Sequence, residues 1–299
     1  MNAIGWLWLL LALAAAAAIW GIGIERFLFV IRRESIKALP KGSAPIKVLH
    51  IGDIHLAPWQ KRKAKFVHSL GALDIDLVVN TGDNLGHKNA IGPALTALAP
   101  LLEKPGVFVN GSNDYYAPVL RNPLAYLRKP SERGDGEQLD TARLVGGFRS
   151  AGWLNLNNRD GQIVINGTAL GFIGVDDAHD DLDDISGLKA QSSRLAGCSV
   201  IIGVTHAPYL RVLEAMTNAS ASVIFAGHTH GGQVCVPGYG ALTTNCDLPT
   251  KNAKGVSEWT FGSRKMILNV VAGLGHSIFA PVRLACRPEV RLITLEAKD

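Results

Sequence analysis

The chain has 299 residues and a net charge of +5 at pH 7, so it exceeds a modal domain yet fits a single large α/β domain. Arg26, Arg32, Arg33, Lys37 and Lys41 face only Glu25 and Glu34 within residues 1–41, which leaves the remainder at +2. That small remainder argues against the clustered basic face of a nucleic-acid binder.

From the N-terminus, Ala3 to Ile24 is an uncharged, mostly apolar run of 22 residues, with Trp6, Trp8 and Trp20 near its ends. A helix of that length crosses a hydrocarbon core of about 30 Å. No basic region precedes it and no clear small-x-small site follows its apolar stretch, so an uncleaved anchor over 1–25 is expected, with a cleaved secretion signal as the alternative. The basic excess on its C-terminal side predicts that the rest of the chain lies on the cytoplasmic face. Residues 26–45 are expected to be a basic juxtamembrane linker that ends in Lys41–Pro45. Arg32 and Arg33 either rest among anionic head groups or continue the anchor helix in solvent.

A globular domain is expected over 46–299. Ile46–Ile51, Leu77–Asn80, Ser199–Val204 and Ser222–Phe225 are short apolar runs rich in Val and Ile, the pattern of buried strands. Lys61–Ala72 and Ala90–Leu102 have helical character, and Val107–Asn110 follows as a strand, which makes a strand–helix–strand rhythm. Tyr115 to Leu144 breaks that rhythm directly after a polar loop, where a substrate lid or a plain surface loop would sit. Leu120, Leu124, Tyr126 and Leu127 are its apolar candidates for lipid contact. Asn166-Gly167 predicts a hairpin turn between Gln162–Asn166 and Ala169–Val175. The acidic run Asp176 to Asp184 is expected to be a solvated loop, with cation binding as the alternative. Ala207–Met216 is predicted as a helix, and Gln233–Val236, Met266–Ala272 and Glu289–Glu296 as strands. Cys198, Cys235, Cys246 and Cys286 lack Cys-x-x-Cys spacing, so no zinc knuckle is indicated, and their usage does not decide the compartment.

Metal-binding residue types recur where the predicted strands end: Asp53-Ile-His55, Gly82-Asp83-Asn84, Thr205-His206 and Gly227-His228-Thr-His230. Residues two apart on an extended strand share a face, so each Asp-x-His or His-x-His pair is expected to aim both ligands at one point. In this order the motifs resemble the calcineurin-like metallophosphoesterase family, over about residues 46–296. The resemblance implies a four-layer α/β/β/α sandwich, here with an N-terminal transmembrane helix. It also implies two divalent ions, with Asp53, His55, Asp83 and His230 on one and Asp83, Asn113, His206 and His228 on the other. Carboxylate, imidazole and amide-oxygen ligands suit Mn, Fe or Zn. Asp83 would bridge, and metal-bound hydroxide would attack phosphorus.

One motif departs from the family. Where Gly-Asn-His-Asp is expected, the chain has Gly111-Ser112-Asn113-Asp114. Aligned without a gap, Ser112 takes the metal-binding Asn position and Asn113 that of the general-acid His. Shifted by one, the preferred alignment, Asn113 keeps the metal and Asp114 stands where the His would be. Asp114 and the more distant His276 are then the candidate acids. Asn84, Arg283 and Arg287 are candidate contacts to phosphoryl oxygens, against turn formation for Asn84 and ordinary salt bridging for the two arginines.

The leading functional expectation is a membrane-anchored, metal-dependent phosphodiesterase or pyrophosphatase acting on a phosphoester or diphosphate, with lipid-linked substrates as one candidate class. A nuclease or nucleotide phosphatase is the enzymatic alternative, and the low charge outside the anchor disfavours a nucleic-acid partner. The altered loop supports a third reading, a non-catalytic metal-binding scaffold.

Overall fold

A computed structural model of the chain describes residues 2–120 and 136–299. Helix α1 (Ala3–Gly23) is followed by strands β1 (Val30–Leu39) and β2 (Ile46–Ile51). Next come α2 (Lys61–Ser69), β3 (Leu77–Asn80), α3 (Ile91–Leu102), β4 (Gly106–Phe108) and a single turn, α4 (Ser112–Tyr115). Helix α5 (Thr141–Ser150) leads to β5 (Leu154–Asn155) and to the hairpin β6 (Asp160–Ile165) and β7 (Thr168–Gly174). Helix α6 (Leu188–Arg194), β8 (Val200–Val204), α7 (Leu210–Asn218) and β9 (Val223–Ala226) continue the alternation. The chain closes with the short ribbon β10 (Cys235–Val236) and β11 (Gly240–Ala241), then β12 (Gly255–Phe261), β13 (Arg264–Val270) and β14 (Glu289–Ala297).

Two six-stranded sheets form, in the orders β1-β14-β2-β3-β4-β5 and β12-β13-β9-β8-β7-β6. Strands β2, β3 and β4 are mutually parallel, as are β7, β8 and β9, so the carboxyl ends in each set point the same way. Alternate residues of both sheets meet between them: Val48, Val79 and Val107 from one, Phe172, Ile202 and Phe225 from the other. Leu49, Ile51 and Val78 face outward onto a layer that includes Val67, Leu98, Leu144 and Phe148 of α2, α3 and α5. Ile173 and Ile224 do the same against Leu188 of α6 and Val212, Leu213 and Met216 of α7. The layers are therefore α/β/β/α, as expected. Helix α3 shows why it forms: Ile91, Ala94, Ala97, Leu98 and Leu101 are its buried residues, one stripe at helical spacing.

The expected linker over 26–45 is corrected. Its central ten residues are β1, a full edge strand paired in parallel with β14 from Val30↔Glu289 to Leu39↔Ala297. Its charges, Arg32, Arg33, Glu34 and Lys37, are what an edge strand carries to discourage further pairing. The 115–144 break narrows too, because α5 begins at Thr141. Leu124, Tyr126 and Leu127 lie outside the described residues, and Leu120 is exposed.

Helix α1 is almost wholly exposed and is long and apolar enough to cross a membrane. Its C-terminal end is fastened to the globular domain. Gly21 O accepts from Arg283 N at 3.2 Å, and a side chain at Gly21 would meet Arg283 O at 2.8 Å. The buried Glu25 carboxylate accepts from Trp20 Nε1 (2.7 Å), Ala285 N (3.0 Å) and Cys286 N (2.7 Å).

Candidate metal centre

Six ligand-type residues converge from four loops at the carboxyl ends of β2, β3, β8 and β9, and a fifth loop, after β4, brings Asn113 to them. The strand-alternation expectation is corrected, because no ligand sits on an extended strand. Asp53 (φ 46°), His55 (φ 41°), Asp83 (φ 53°), His228 (φ 69°) and His230 (φ 51°) all adopt left-handed backbone just past the strand ends. Residues with a Cβ resist that region, so the loops hold strained conformations at the points where ligands turn inward. Close backbone approach depends on glycine at Gly111, where a methyl would fall 2.4 Å from Asp83 Oδ1 and 2.7 Å from His206 Cε1.

One atom each from Asp53, His55, Asp83 and His230 lies within 4.8 Å of the others, and all four residues are buried. His55 Nε2 is 3.1 Å from His230 Nε2 and 3.2 Å from Asp83 Oδ2, and His230 Nε2 is 3.7 Å from Asp53 Oδ1. Asp83 Oδ2 also lies 3.6 Å from His206 Nε2, which in turn is 3.3 Å from His228 Nδ1. Asp83 thus stands between the two imidazole pairs.

Backbone carbonyls orient the rings. His206 Nδ1 lies 2.7 Å from Thr81 O, His228 Nε2 3.1 Å from Asn245 O, and His230 Nδ1 3.3 Å from Gly275 O. A carbonyl only accepts, so His206 Nδ1 and His228 Nε2 carry protons, and in the neutral ring the other nitrogen is the one free to face the centre; His230 Nδ1 is approached by Arg283 Nη2 as well, at 3.4 Å. Asp53 accepts from the His228 backbone N–H with both oxygens, at 3.1 and 3.0 Å.

The electrostatics are those of a compressed charge cluster. Burial, helped by Asp83, raises the Asp53 carboxyl to about 6. Burial works against charge on Asp83 as well, yet His206 and His55 outweigh it and hold that carboxylate well below its usual range. Burial likewise opposes charge on His206, but Asp83, Asp177 and Asp53 overcome it and raise the imidazole to about 9. Burial pushes His228 and His230 well down, aided by His179 and by His55 respectively.

The remaining sequence candidates have other places. Asn113 reaches Asp83 twice, through its backbone N to Oδ1 (2.8 Å) and through Nδ2 to Oδ2 (2.9 Å). It presents the amide nitrogen there rather than the oxygen a cation needs, and a half-turn of the amide exchanges the two. Asp114 is fully buried and turned back into its own loop: Oδ1 accepts from Asn84 N (2.8 Å), Oδ2 from Asn84 Nδ2 and Gly111 N (both 3.2 Å). Burial, then Asp83, raises its carboxyl to about 6, but its oxygens brace the loop and are not presented to a leaving group. The expectation of Asp114 as acid is corrected accordingly. Asn84 is also buried, accepting from Asn80 Nδ2 at 2.8 Å, so it is a brace and not a phosphate contact. Arg283 is fully buried beneath the site and donates to His230 O (2.9 Å), Ala272 O (2.8 Å), Gly273 O (3.2 Å) and Gly275 O (2.6 Å). It positions a ligand loop and does not reach outward to substrate. His276 is buried with Nδ1 on Ser277 O at 2.9 Å, and burial together with Lys63 lowers it to about 3, which does not suit an acid.

A family model described as calcineurin-like phosphoesterase matches residues 46–232. The chain belongs to the calcineurin-like phosphoesterase family. A relative from Aquifex aeolicus, described as an uncharacterized metallophosphoesterase, is 25% identical over 286 residues, covering 92% of this chain and 95% of its own. A Bos taurus transmembrane protein with metallophosphoesterase domain is 24% identical, covering 88% of this chain and 55% of its own. The Bacillus subtilis metallophosphoesterase YkuE, also described as uncharacterized, is 23% identical over 303 residues, covering 97% of this chain and 94% of its own.

Two further residues lie at this calcineurin-like site, both in the acidic run after β7 that the sequence predicts to be solvated, with cation binding as the alternative. Asp177 is fully buried, and its carboxyl is raised to about 7 by burial and by Asp83, against His206. His179 lays its ring 4.5 Å from that of His228 and shares Nδ1 with Tyr209 Oη at 3.0 Å. The run is therefore not simply a solvated loop. The available signal was topological: β7 is the parallel neighbour of β8, so its carboxyl end opens at the same edge as His206.

Proposed function

We propose that the chain is a membrane-anchored phosphoester hydrolase working with two divalent cations that share Asp83. The observation carrying this reading is Asp83 Oδ2, which lies 3.2 Å from His55 Nε2 and 3.6 Å from His206 Nε2. The donor set fits such cations. Buried carboxylates and imidazoles crowd together with lone pairs inward, and His55 Nε2 and His230 Nε2 approach to 3.1 Å, an arrangement that a shared positive charge satisfies. Asp53, His55, Asp83 and His230 would hold one ion, and Asp83, Asn113, His206 and His228 the other. When bound, Mn, Fe or Zn in such a pair supplies Lewis acidity toward phosphoryl oxygens and acidifies water.

The protein's own contribution is orientation. Thr81, Asn245 and Gly275 carbonyls fix three imidazoles, Arg283 ties the His230 backbone to the 272–275 turn, and Lys63 Nζ binds Ile54 O (2.9 Å) and His55 O (3.1 Å) under the first ligand loop. Asn113 and Asp114 both spend their side chains on hydrogen bonds within the protein, and no His stands in residues 111–114, which favours substrates whose leaving group is already acidic, diphosphates and activated diesters. Helix α1 and the basic excess after it support a single-pass protein with its catalytic domain on the cytoplasmic side. The junction supports a substrate at head-group level: Arg283 contacts Gly21 of α1 through its backbone and His230 through its side chain.

The test is turnover by the full-length, Mn²⁺-loaded protein of bis(p-nitrophenyl) phosphate and p-nitrophenyl phosphate, with Asp83→Ala as control. Diester hydrolysis that vanishes in the variant, with metal content lowered, supports the reading. Two bound metals without hydrolysis of these or of lipid-linked diphosphates would sink it in favour of a scaffold.

A further inference from the structure

A cavity of about 420 Å³ opens beside the junction of α1 and the globular domain, away from the metal ligands. Phe27, Phe29 and Phe66 form apolar walls, and Arg62, Lys65 and Arg287 are its cations. Among the described residues, no carboxylate contributes to the lining. Phe29 and Phe66 stack at 5.0 Å, while Arg26 and Arg62 sit over the Phe27 ring at 4.5 and 5.5 Å. Arg287 Nε is held by Leu28 O at 3.0 Å, which keeps its guanidinium beside the cavity. Three cations around an aromatic floor, without an acid, make a receptor for an anion that has an apolar neighbour.

Location narrows the ligand. Phe27 follows the end of α1 by four residues, so it stays within about 14 Å of that end even if the chain is extended. If α1 spans a bilayer, the cavity opens where head groups lie, and the patch continues the surface that the helix already presents to lipid. We infer that this cavity binds the phosphodiester head group of an anionic phospholipid, with Arg62, Lys65 and Arg287 on the phosphate and the phenylalanines against the root of the acyl chains. This rests on the membrane-spanning reading of α1, and it makes the bilayer a second attachment point that fixes the tilt of the catalytic domain.

The experiment uses the full chain in neutral detergent, titrated separately with phosphatidylglycerol, phosphatidylcholine and inorganic phosphate, with bound ligand counted by native mass spectrometry. The wild type should retain one phosphatidylglycerol in preference to phosphatidylcholine. The double variant Arg62→Ser/Lys65→Ser, at two exposed positions of α2, should bind it about 30-fold more weakly with unchanged melting temperature. Arg62→Lys keeps the charge and should retain most of the binding, so a misfolded double variant would not rescue the idea if this one also failed. Equal retention by wild type and double variant, equal retention of the two lipids, or displacement of phosphatidylglycerol by millimolar inorganic phosphate would each overturn the site. Carbonate extraction of membranes tests α1 separately, so a failed anchor and a failed lipid site are distinguishable.

Discussion

Replacing Arg283 with methionine keeps the apolar stem but removes the guanidinium donors beneath the His230 side of the metal centre. Four carbonyls, those of His230, Ala272, Gly273 and Gly275, lose their guanidinium partner in a site from which water is excluded. Only Ala272 O then has no other partner among the described residues, at about 1–3 kcal/mol; His230 O keeps Gln233 N (3.0 Å), Gly273 O keeps Glu289 N (2.9 Å) and Gly275 O keeps His230 Nδ1 (3.3 Å), so their losses are smaller. Roughly 2 kcal/mol of stability should disappear, a sizeable part of the 5–15 kcal/mol that typically holds a fold together. Because His230 hangs from the same group, Mn²⁺ affinity should fall on the order of 10–100-fold, the usual effect of losing a group that orients a ligand. Urea unfolding and metal titration measure the two effects, and Arg283→Lys, reaching fewer carbonyls, should recover part of each. A rise in KM alone, with stability and metal affinity untouched, would refute the positioning role and return Arg283 to the substrate.

Gly111→Ala tests the packing of the bridge. The backbone there is extended (φ −115°), so only the methyl matters, and its approach to 2.4 Å from Asp83 Oδ1 should displace that carboxylate. Elemental analysis should find less metal and assays about 100-fold less turnover, whereas full metal occupancy would contradict the packing argument. Asp114 predicts a pH effect. Its folded carboxyl is raised to about 6 from 3.8, so ionisation opposes folding increasingly as pH climbs from about 4 to 6 and by a constant amount above. In metal-free protein, Asp114→Asn should therefore gain stability relative to wild type between pH 4.5 and 7.5 by on the order of 2 kcal/mol in urea unfolding. No such pH-dependent difference would mean that Asp114 ionises normally. Metal itself should stabilise: Mn²⁺ at a thousandfold excess over its dissociation constant adds about 4 kcal/mol. The melting temperature should thus rise with Mn²⁺ in wild type and stay flat in Asp83→Ala, and a parallel rise in both would detach metal binding from this site.

Local pattern determined a good deal of this protein by itself. Short Val- and Ile-rich runs marked β2, β3, β8 and β9 to within a residue or so, because buried parallel strands need uninterrupted apolar residues. The Asp-x-His and His-x-His motifs named six ligand-type side chains whose chemistry is legible one residue at a time, and the 22-residue apolar run fixed the character of α1. Tertiary structure alone decided the rest. Strand β1 looked like a linker because its charged outer residues hide an edge strand, and its partner β14 lies more than 250 residues away. The ligands point inward through left-handed turns, not strand alternation, since those backbone angles are imposed by neighbouring loops. Asn84, Asp114 and Arg283 have the side chains of a catalytic site, but burial turned their hydrogen bonds onto the protein. Asp177 and His179 entered the site from a run that reads as solvated. Residue type states which chemistry is possible, and only the packing of distant segments determines which polar atoms remain free to perform it.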